Sequence, residues 1–120
     1  MDGAMIQHKD LSENSQWQQM PFAQQMANVG SEVFRAGKWR AKGRDDRAMA
    51  ASERALELLD FTIHASAASQ SKSKLRELLR LREVLCDYFF GENQFGTTQE
   101  WLNDYFNSFS MVASRQRYSI

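Results

Sequence analysis

The chain has 120 residues, with 15 basic and 15 acidic side chains and a formal net charge of zero. This length suffices for one domain with a single core, and the balanced charge argues against a dedicated nucleic-acid binder while leaving room for a local basic patch. No apolar run approaches the roughly 20 residues that span a bilayer. A single cysteine, Cys86, cannot form an intramolecular disulfide, and its presence as a free thiol is compatible with a reducing compartment. The sequence therefore predicts a cytoplasmic protein without a membrane segment.

Helix-forming residues dominate the composition. Ala, Leu, Gln, Glu, Arg and Met are abundant, Pro21 is the only proline, and apolar residues recur every three or four positions. The pattern predicts an all-α fold, an antiparallel up-down-up-down four-helix bundle over residues 17–114. Residues 1–16 are polar and aperiodic and are predicted to form a flexible N-terminal segment, and residues 115–120 a short C-terminal tail.

The first predicted helix begins just after Pro21, which is tolerated in a first turn, and ends at Gly43. Its apolar half contains Gly30 and Gly37, each of which costs about 1 kcal/mol relative to alanine in a helix interior. Close approach of another helix would offset that cost. The expected neighbour is the small-residue strip of the second helix, residues 46–65: Ala48, Ala51, Ala55 and Thr62.

The third and fourth predicted helices are strongly apolar. Residues 73–90 carry leucines and aromatic residues over more than half of the helix circumference, so this helix is expected to be the central one. The fourth helix is expected to start with a capping box formed by Thr97 and Glu100. Its aromatic stripe is expected to face the core: Trp101, Tyr105, Phe106 and Phe109.

Arg82 interrupts the apolar arc of the third helix. A guanidinium keeps its charge at ordinary pH, and its burial without a partner is strongly unfavourable. Either Arg82 reaches the edge of the bundle, or a carboxylate meets it inside. We predict a buried polar cluster of Arg82 with three candidate acids: Glu32, Glu57 and Asp60. The alternative places these acids on exposed stripes with ion pairs between neighbouring turns. Such an exposed stripe is expected on the third helix: Arg76, Arg80, Glu83 and Asp87.

A basic segment closes the first helix. Within residues 33–47, VFRAGKWRAKGRDDR, six side chains are Lys or Arg and two are acidic. Cations at the end of a helix complement its dipole, each by roughly 0.3–1 kcal/mol, so a solvated helix end is the first interpretation. The second is a patch that contacts phosphate groups or a partner protein, with Trp39 stacking on a base. Its candidate residues are Arg35, Lys38, Trp39, Arg40, Lys42 and Arg44.

No catalytic or cofactor motif is assembled in the sequence. There is no Glu-x-x-His, no Cys-x-x-Cys and no glycine-rich phosphate loop, and only two histidines occur. Cys86 is expected on a packed helix face, where thiols are generally inert. The sequence therefore predicts neither a metal site nor a cofactor and favours a non-enzymatic protein.

The aromatic content favours a protein-interaction or regulatory module. Eight Phe, three Trp and three Tyr are many for a bundle of this size to bury, and exposed aromatic residues near arginines are typical of interfaces. The side chains expected to be hardest to bury are Trp17, Phe22, Trp39 and Phe95. We expect a homodimer or a complex with another protein.

In size and helix count the predicted bundle is similar to the HEPN domains, small all-α proteins often associated with nucleotidyltransferases or RNA cleavage. The RNA-cutting members carry an Arg, four to six residues and then a His on one helix. Before His64 the corresponding positions hold Glu57, Leu58 and Leu59, so the cleavage motif is absent. The resemblance rests on architecture and implies the alternative function, an RNA- or nucleotide-interacting bundle that does not cut RNA.

Overall fold

The computed structural model describes residues 15–69 and 71–118. Four long helices account for most of them: α1 (Phe22–Ala41), α2 (Asp45–Ala68), α3 (Lys72–Phe90) and α4 (Gln99–Tyr118). A fifth helical segment, described over residues 15–18, precedes them, and these ranges contain no strand. The predicted all-α fold is therefore confirmed. Within the same ranges no helix combines the length and the apolar character needed to cross a membrane.

The ends of the chain differ from the predicted boundaries. Residues 1–14 of the predicted flexible segment and residues 119–120 of the predicted tail lie outside the described ranges. Residues 15–16 already belong to the first helical segment, and α4 continues to Tyr118 instead of ending near residue 114. Arg115 and Arg117 lie in the last turn of α4, where cations complement the helix dipole and favour its continuation.

α1 is the helix on which the others pack. It runs closely along both α2 and α4, while α3 packs against α2. The expectation that the third helix is central is wrong, because α3 buries only three leucines and leaves Leu79 47% exposed. A broad apolar arc does not make a helix central, since close packing on two sides also requires small residues. α1 has them on its buried face: Ala23, Gly30 and Ala36.

The core draws side chains from all four long helices. The largest fully buried ones are Met26, Leu59, Leu78, Leu85 and Leu102. Half-buried aromatic residues pack around them, including Phe22, whose ring meets Phe109 edge-on at a centroid distance of 5.8 Å. Burial of this apolar surface is the main favourable contribution to folding.

Trp17 joins the N-terminal helical segment to this core. It is only 6% exposed, and its ring lies 6.3 Å from that of Phe61. Its indole Nε1 donates to Thr62 Oγ1 at 2.8 Å, and Gln25 Nε2 donates to the Trp17 carbonyl at 2.9 Å. The expectation that Trp17 would be hard to bury is wrong, because these partners satisfy its polar groups inside the core.

The two glycines of α1 face α4 and not α2 as expected. A Cβ added to Gly30 would overlap Cβ of Phe106 and lie 2.8 Å from its Cγ. A Cβ added to Gly37 would lie 2.6 Å from Nε2 of Gln99, the first residue of α4. The prediction of a close helix approach at these glycines is confirmed, but the neighbour is a different helix. Sequence spacing shows that a helix has room for a neighbour and does not show which neighbour takes it.

The loop between α3 and α4 decides where α4 begins. Asn93 binds the backbone of Thr97 in both directions, accepting from its N–H at 2.9 Å and donating to its carbonyl at 2.9 Å. Thr97 is thereby held in the loop, and Thr98 caps the helix, with Oγ1 accepting from the Trp101 N–H at 3.1 Å. The predicted capping box of Thr97 and Glu100 is therefore wrong by one residue.

We expect Gly30→Ala to lower the free energy of unfolding by about 1–2 kcal/mol, because overpacking against Phe106 outweighs the roughly 1 kcal/mol gain in helix propensity. Urea denaturation followed by circular dichroism measures the change. Gly37→Ala is the matched control on the same helix, and it should lose less because only the flexible end of Gln99 must move. A Gly30→Ala protein as stable as the wild type would contradict the close approach of α1 and α4.

Candidate functional site

Arg82 lies at the solvent-accessible edge between α2 and α3. Its Nε donates to Asp60 Oδ1 at 2.7 Å, and a second guanidinium nitrogen donates to Oδ2 at 3.4 Å. The two side chains are 42% and 50% exposed. The hydrogen bond that the Arg82 guanidinium donates to Asp60 raises the pKa of the guanidinium above its usual value. Arg82 thus pairs with one of the three predicted acids, as expected. The pair is not buried, because the long Arg82 side chain extends to the surface and its guanidinium remains solvent-accessible.

The other two acids of the predicted cluster belong elsewhere. Glu32 pairs with Arg35 on α1 at 2.6 Å, and Glu57 pairs with Arg54 on α2. Both pairs join residues three positions apart on one helix, where side chains meet without long-range packing. The prediction of one buried polar cluster of Glu32, Glu57, Asp60 and Arg82 is therefore wrong. The alternative of ion pairs between neighbouring turns describes Glu32 and Glu57, although the Glu32 side chain is only 17% exposed.

We expect Arg82→Met to change the free energy of unfolding by less than about 1 kcal/mol, because ion pairs this exposed contribute little. Asp60→Asn should have a similarly small effect. Chemical denaturation of both variants provides the measurement. A loss of more than about 3 kcal/mol, the usual effect of breaking a buried pair, would contradict the exposed position.

Three cationic side chains lie close to the Trp39 ring at the junction of α1 and α2. Lys42 Nζ and the guanidinium carbons of Arg44 and Arg47 lie 5.4, 5.8 and 4.6 Å from the centre of its rings. These distances lie within the range of cation–π attraction. Arg47 was not among the predicted patch residues, because it belongs to the next helix and only the fold brings it to Trp39.

The remaining predicted patch residues point to different partners. Arg40 donates to the Tyr88 carbonyl at 3.2 Å and lies 5.0 Å from the Tyr88 ring centre, so α3 holds it. Arg35 forms an ion pair with Glu32. Lys38 Nζ lies 5.7 Å from the ring centre of Phe34, a residue that is 50% exposed. The predicted patch is thus divided between a contact with α3 and the outer side of α1.

Two adjoining open grooves lie beside Phe34. The first has a volume of about 500 Å³ and is lined by Ser31, Phe34, Arg35, Lys38, Trp39 and Lys42. The second, of about 310 Å³, lies between α1 and α4 and shares Ser31 and Phe34 with the first. Its α4 side is lined by Asn103, Asp104, Phe106, Asn107 and Ser110. We call the first the α1 groove and the second the α1–α4 groove.

A third groove, of about 500 Å³, lies where α3, α4 and their connecting loop meet. Its aromatic residues are Phe95 and Trp101, each 51% exposed. The guanidinium of Arg80 lies 5.4 Å from the Phe95 ring centre, and the Trp101 ring stacks on Tyr105 at 5.4 Å with an interplanar angle of 13°. We call this the aromatic groove. It exposes part of the aromatic stripe that the sequence assigns to the core.

Asp87 positions the loop that carries Phe95. Its carboxylate accepts backbone hydrogen bonds from Gln94 at 2.8 Å and from Phe95 at 3.1 Å. The expected stripe of ion pairs on α3 is not formed within the described ranges: Asp87 binds the loop, and Arg80 lies over Phe95. The sequence signal that could have shown this role is an aspartate in the last turn of a helix, four residues before Gly91 and a polar loop.

Tyr105 supports the Trp101 ring of the aromatic groove by stacking against it. Its hydroxyl donates to Glu77 Oε2 of α3 at 2.9 Å, and its ring packs edge-on against Phe106 and Phe109. Burial raises the pKa of the Tyr105 hydroxyl above its usual value, and the hydrogen bond to Glu77 and the charge of that carboxylate raise it further.

We expect this shift to make the protein less stable as the pH rises above about 10. There the unfolded chain releases the Tyr105 proton while the folded chain keeps it, so the unfolding equilibrium is pulled toward the unfolded state. The slope should be well below the limit of about 1.4 kcal/mol per pH unit, because Tyr105 is partly exposed. Tyr105→Phe should reduce it. Urea denaturation of both proteins between about pH 9 and 11 measures the difference, and identical slopes would contradict the raised pKa.

The described residues contain no group of three or more His, Cys, Asp or Glu side chains arranged to hold a metal ion. Comparison with known proteins does not identify a relative: no protein-family model matches the chain, and no curated protein and no solved structure is significantly similar to it.

Proposed function

We propose that the protein is a non-catalytic helical interaction module that associates with a second copy of itself through the aromatic groove. The observation that carries this proposal is the exposure of Phe95 and Trp101, each 51% accessible to solvent, on either side of one groove. Large aromatic side chains are enriched at the centres of protein interfaces, together with arginine. Arg80 supplies the arginine.

The groove is held in place before any partner arrives. Asp87 fixes the loop backbone at Phe95, and Trp101 stacks on Tyr105, which is tied to Glu77 on the neighbouring helix. A surface that is already ordered loses little conformational entropy on binding, so more of the contact energy contributes to affinity. This pre-organisation favours a docking role for the two exposed rings.

Charges around the groove support a second copy as the partner. Arg80 makes no ion pair in the described part of the chain, and neither does Glu83 on the same helix nor Glu100, which directly precedes Trp101. In a two-fold symmetric contact a residue away from the axis meets a different residue of the second protomer, and the same contact is formed twice. A surface with unpaired charges of both signs can therefore bring opposite charges together across the axis.

In the proposed dimer each protomer is an antiparallel up-down-up-down bundle of α1 to α4. α1 ends at Ala41 and α2 begins at Asp45, while α2 ends at Ala68 and α3 begins at Lys72. Connections of this length favour antiparallel neighbouring helices. The lone cysteine and the absence of a disulfide framework favour a cytoplasmic location.

Light scattering coupled to size exclusion tests the proposal. At high micromolar concentration the wild type should show twice the 13.9 kDa mass of one chain. Phe95→Ser combined with Trp101→Ala should raise the dimer dissociation constant at least about 30-fold, the effect of losing roughly 2 kcal/mol at an interface centre. Arg80→Glu should weaken the dimer, and combining it with Glu100→Arg should restore part of the affinity.

Phe34→Ser is the matched control, because Phe34 is 50% exposed but lies on α1. It should leave the dimer intact. A wild type that stays monomeric would overturn self-association, and a dimer that survives the loss of both Phe95 and Trp101 would overturn the aromatic groove as its interface.

A further inference from the structure

The basic segment at the end of α1 carries positive charge that the fold does not neutralise. Of its six cations, Arg35 pairs with Glu32 at 2.6 Å and Arg44 with Asp46 at 4.0 Å. Lys38, Lys42 and Arg47 lie over aromatic rings and have no carboxylate partner among the described residues. The balanced charge of the whole chain thus conceals a local excess of positive charge around the α1 groove.

We propose that the α1 groove binds single-stranded nucleic acid, with Phe34 stacking on a base and with Lys38, Lys42 and the cations around Trp39 contacting phosphates. This site is separate from the aromatic groove and does not depend on self-association. Binding of single strands without sequence preference combines these two features, a cationic groove along the backbone and an aromatic face for the bases.

The positions on α1 suit an extended strand. Phe34 and Lys38 lie four residues apart on one side of α1, and Lys42, the residue that directly follows the helix, lies four residues further along the chain. At about 1.5 Å per residue, the distance from Phe34 to Lys42 along the helix axis is about 12 Å. Both lysines are exposed and border the same groove as Phe34. A base on the Phe34 ring would thus have cations beside the phosphates that follow it.

Trp39 has a different role from the predicted one. Three cations lie within 6 Å of its ring centre, so its faces are engaged by charged groups and are not free for a base. The ring instead holds Lys42, Arg44 and Arg47 close together, and this cluster attracts the phosphate backbone. Phe34 is 50% exposed, and among the described residues the cation over its ring is Lys38, so this ring remains open to stacking.

The adjoining α1–α4 groove provides hydrogen-bonding groups for the edge of a stacked base. The amide of Asn103 accepts a bond from Gln99 at 2.9 Å, and its own N–H groups have no partner within the described ranges. Asn107 lines the same groove and is likewise without a hydrogen-bond partner there. Asp104, also in this groove, would repel a phosphate, so the strand's backbone is expected on the α1 side.

An acidic peptide would satisfy the cations equally well, but its acidic side chains offer no flat ring that stacks on Phe34 and forms hydrogen bonds along its edge with the neighbouring amides. The exposed ring and the amides therefore favour a ligand with flat, hydrogen-bonding bases. The choice between the two polyanions is open to direct measurement, because a polymer of phosphates without bases and a polymer of carboxylates can each replace the nucleic acid.

Fluorescence anisotropy with a labelled single-stranded oligouridine of about 12 nucleotides tests the site. Affinity should fall steeply between about 50 and 200 mM salt. Phe34→Ala should weaken binding about tenfold, the usual loss for one stacked base. Lys38→Glu with Lys42→Glu should weaken it further and reduce the slope of log affinity against log salt by roughly 1.4, which corresponds to two lost phosphate contacts on a single strand.

Matched controls separate the groove from general charge and aromatic effects. Lys72→Glu with Arg76→Glu makes the same change in net charge on α3, and Phe95→Ala removes an equally exposed ring from the aromatic groove. Both should bind the oligonucleotide like the wild type. Phe34→Ala should keep the dimer mass, so that failure of this site and failure of self-association are distinguishable.

Three results would overturn the proposal. The first is no binding of the oligonucleotide at low salt. The second is equal loss of affinity in the control pair Lys72→Glu and Arg76→Glu. The third is equally tight binding of an abasic phosphate oligomer or of polyglutamate, because the surface would then be a general polyanion or acidic-protein site.

Discussion

The burial of one face of α1 is the constraint on which the rest of the structure depends. Four residues of this face have no solvent exposure at all: Met26, Val29, Val33 and Ala36. Gly30 lies on the same face, and its missing side chain admits Phe106 of α4. Because α1 packs closely on two sides, its position determines those of α2 and α4, and α2 in turn positions α3. Removal of this apolar surface from water is the main force that holds the four helices together.

The surfaces proposed for binding follow from this arrangement. α4 packs more closely against α1 than against α3. Contact between α4 and α3 therefore depends on long side chains such as Tyr105, whose hydroxyl donates to Glu77. The space that remains on that side is the aromatic groove, in which Phe95 and Trp101 stay half exposed. The exposed side of α1 carries Phe34 and Lys38, and Lys42 directly follows the helix. The short connection to α2 brings Arg47 to Trp39.

The charged residues show how local partners take precedence over distant ones. Glu32 and Glu57 each pair with an arginine three positions away, because neighbours on one helix meet wherever the helix lies in the fold. Arg82 is the exception, since its ion pair crosses from α3 to α2, and even this pair remains in contact with water. Aromatic rings engage most of the remaining cations of the basic segment, which leaves their charge available to an anionic ligand.

The sequence by itself determined the helices. Their period, the proline before α1 and the glycines after α1 and α3 act within a turn or two of the chain, so they predict where helices form to within a few residues. It also narrowed the partner of Arg82 to three acids, one of which is Asp60. Only the tertiary structure decided that α1 is central, that the glycines meet α4, that Asp87 holds the loop at Phe95, and that Arg82 remains exposed. These outcomes depend on which helices pack together and how closely they approach. Helix packing is determined by the combined burial of many side chains that are far apart in the sequence, so no local sequence pattern predicts it.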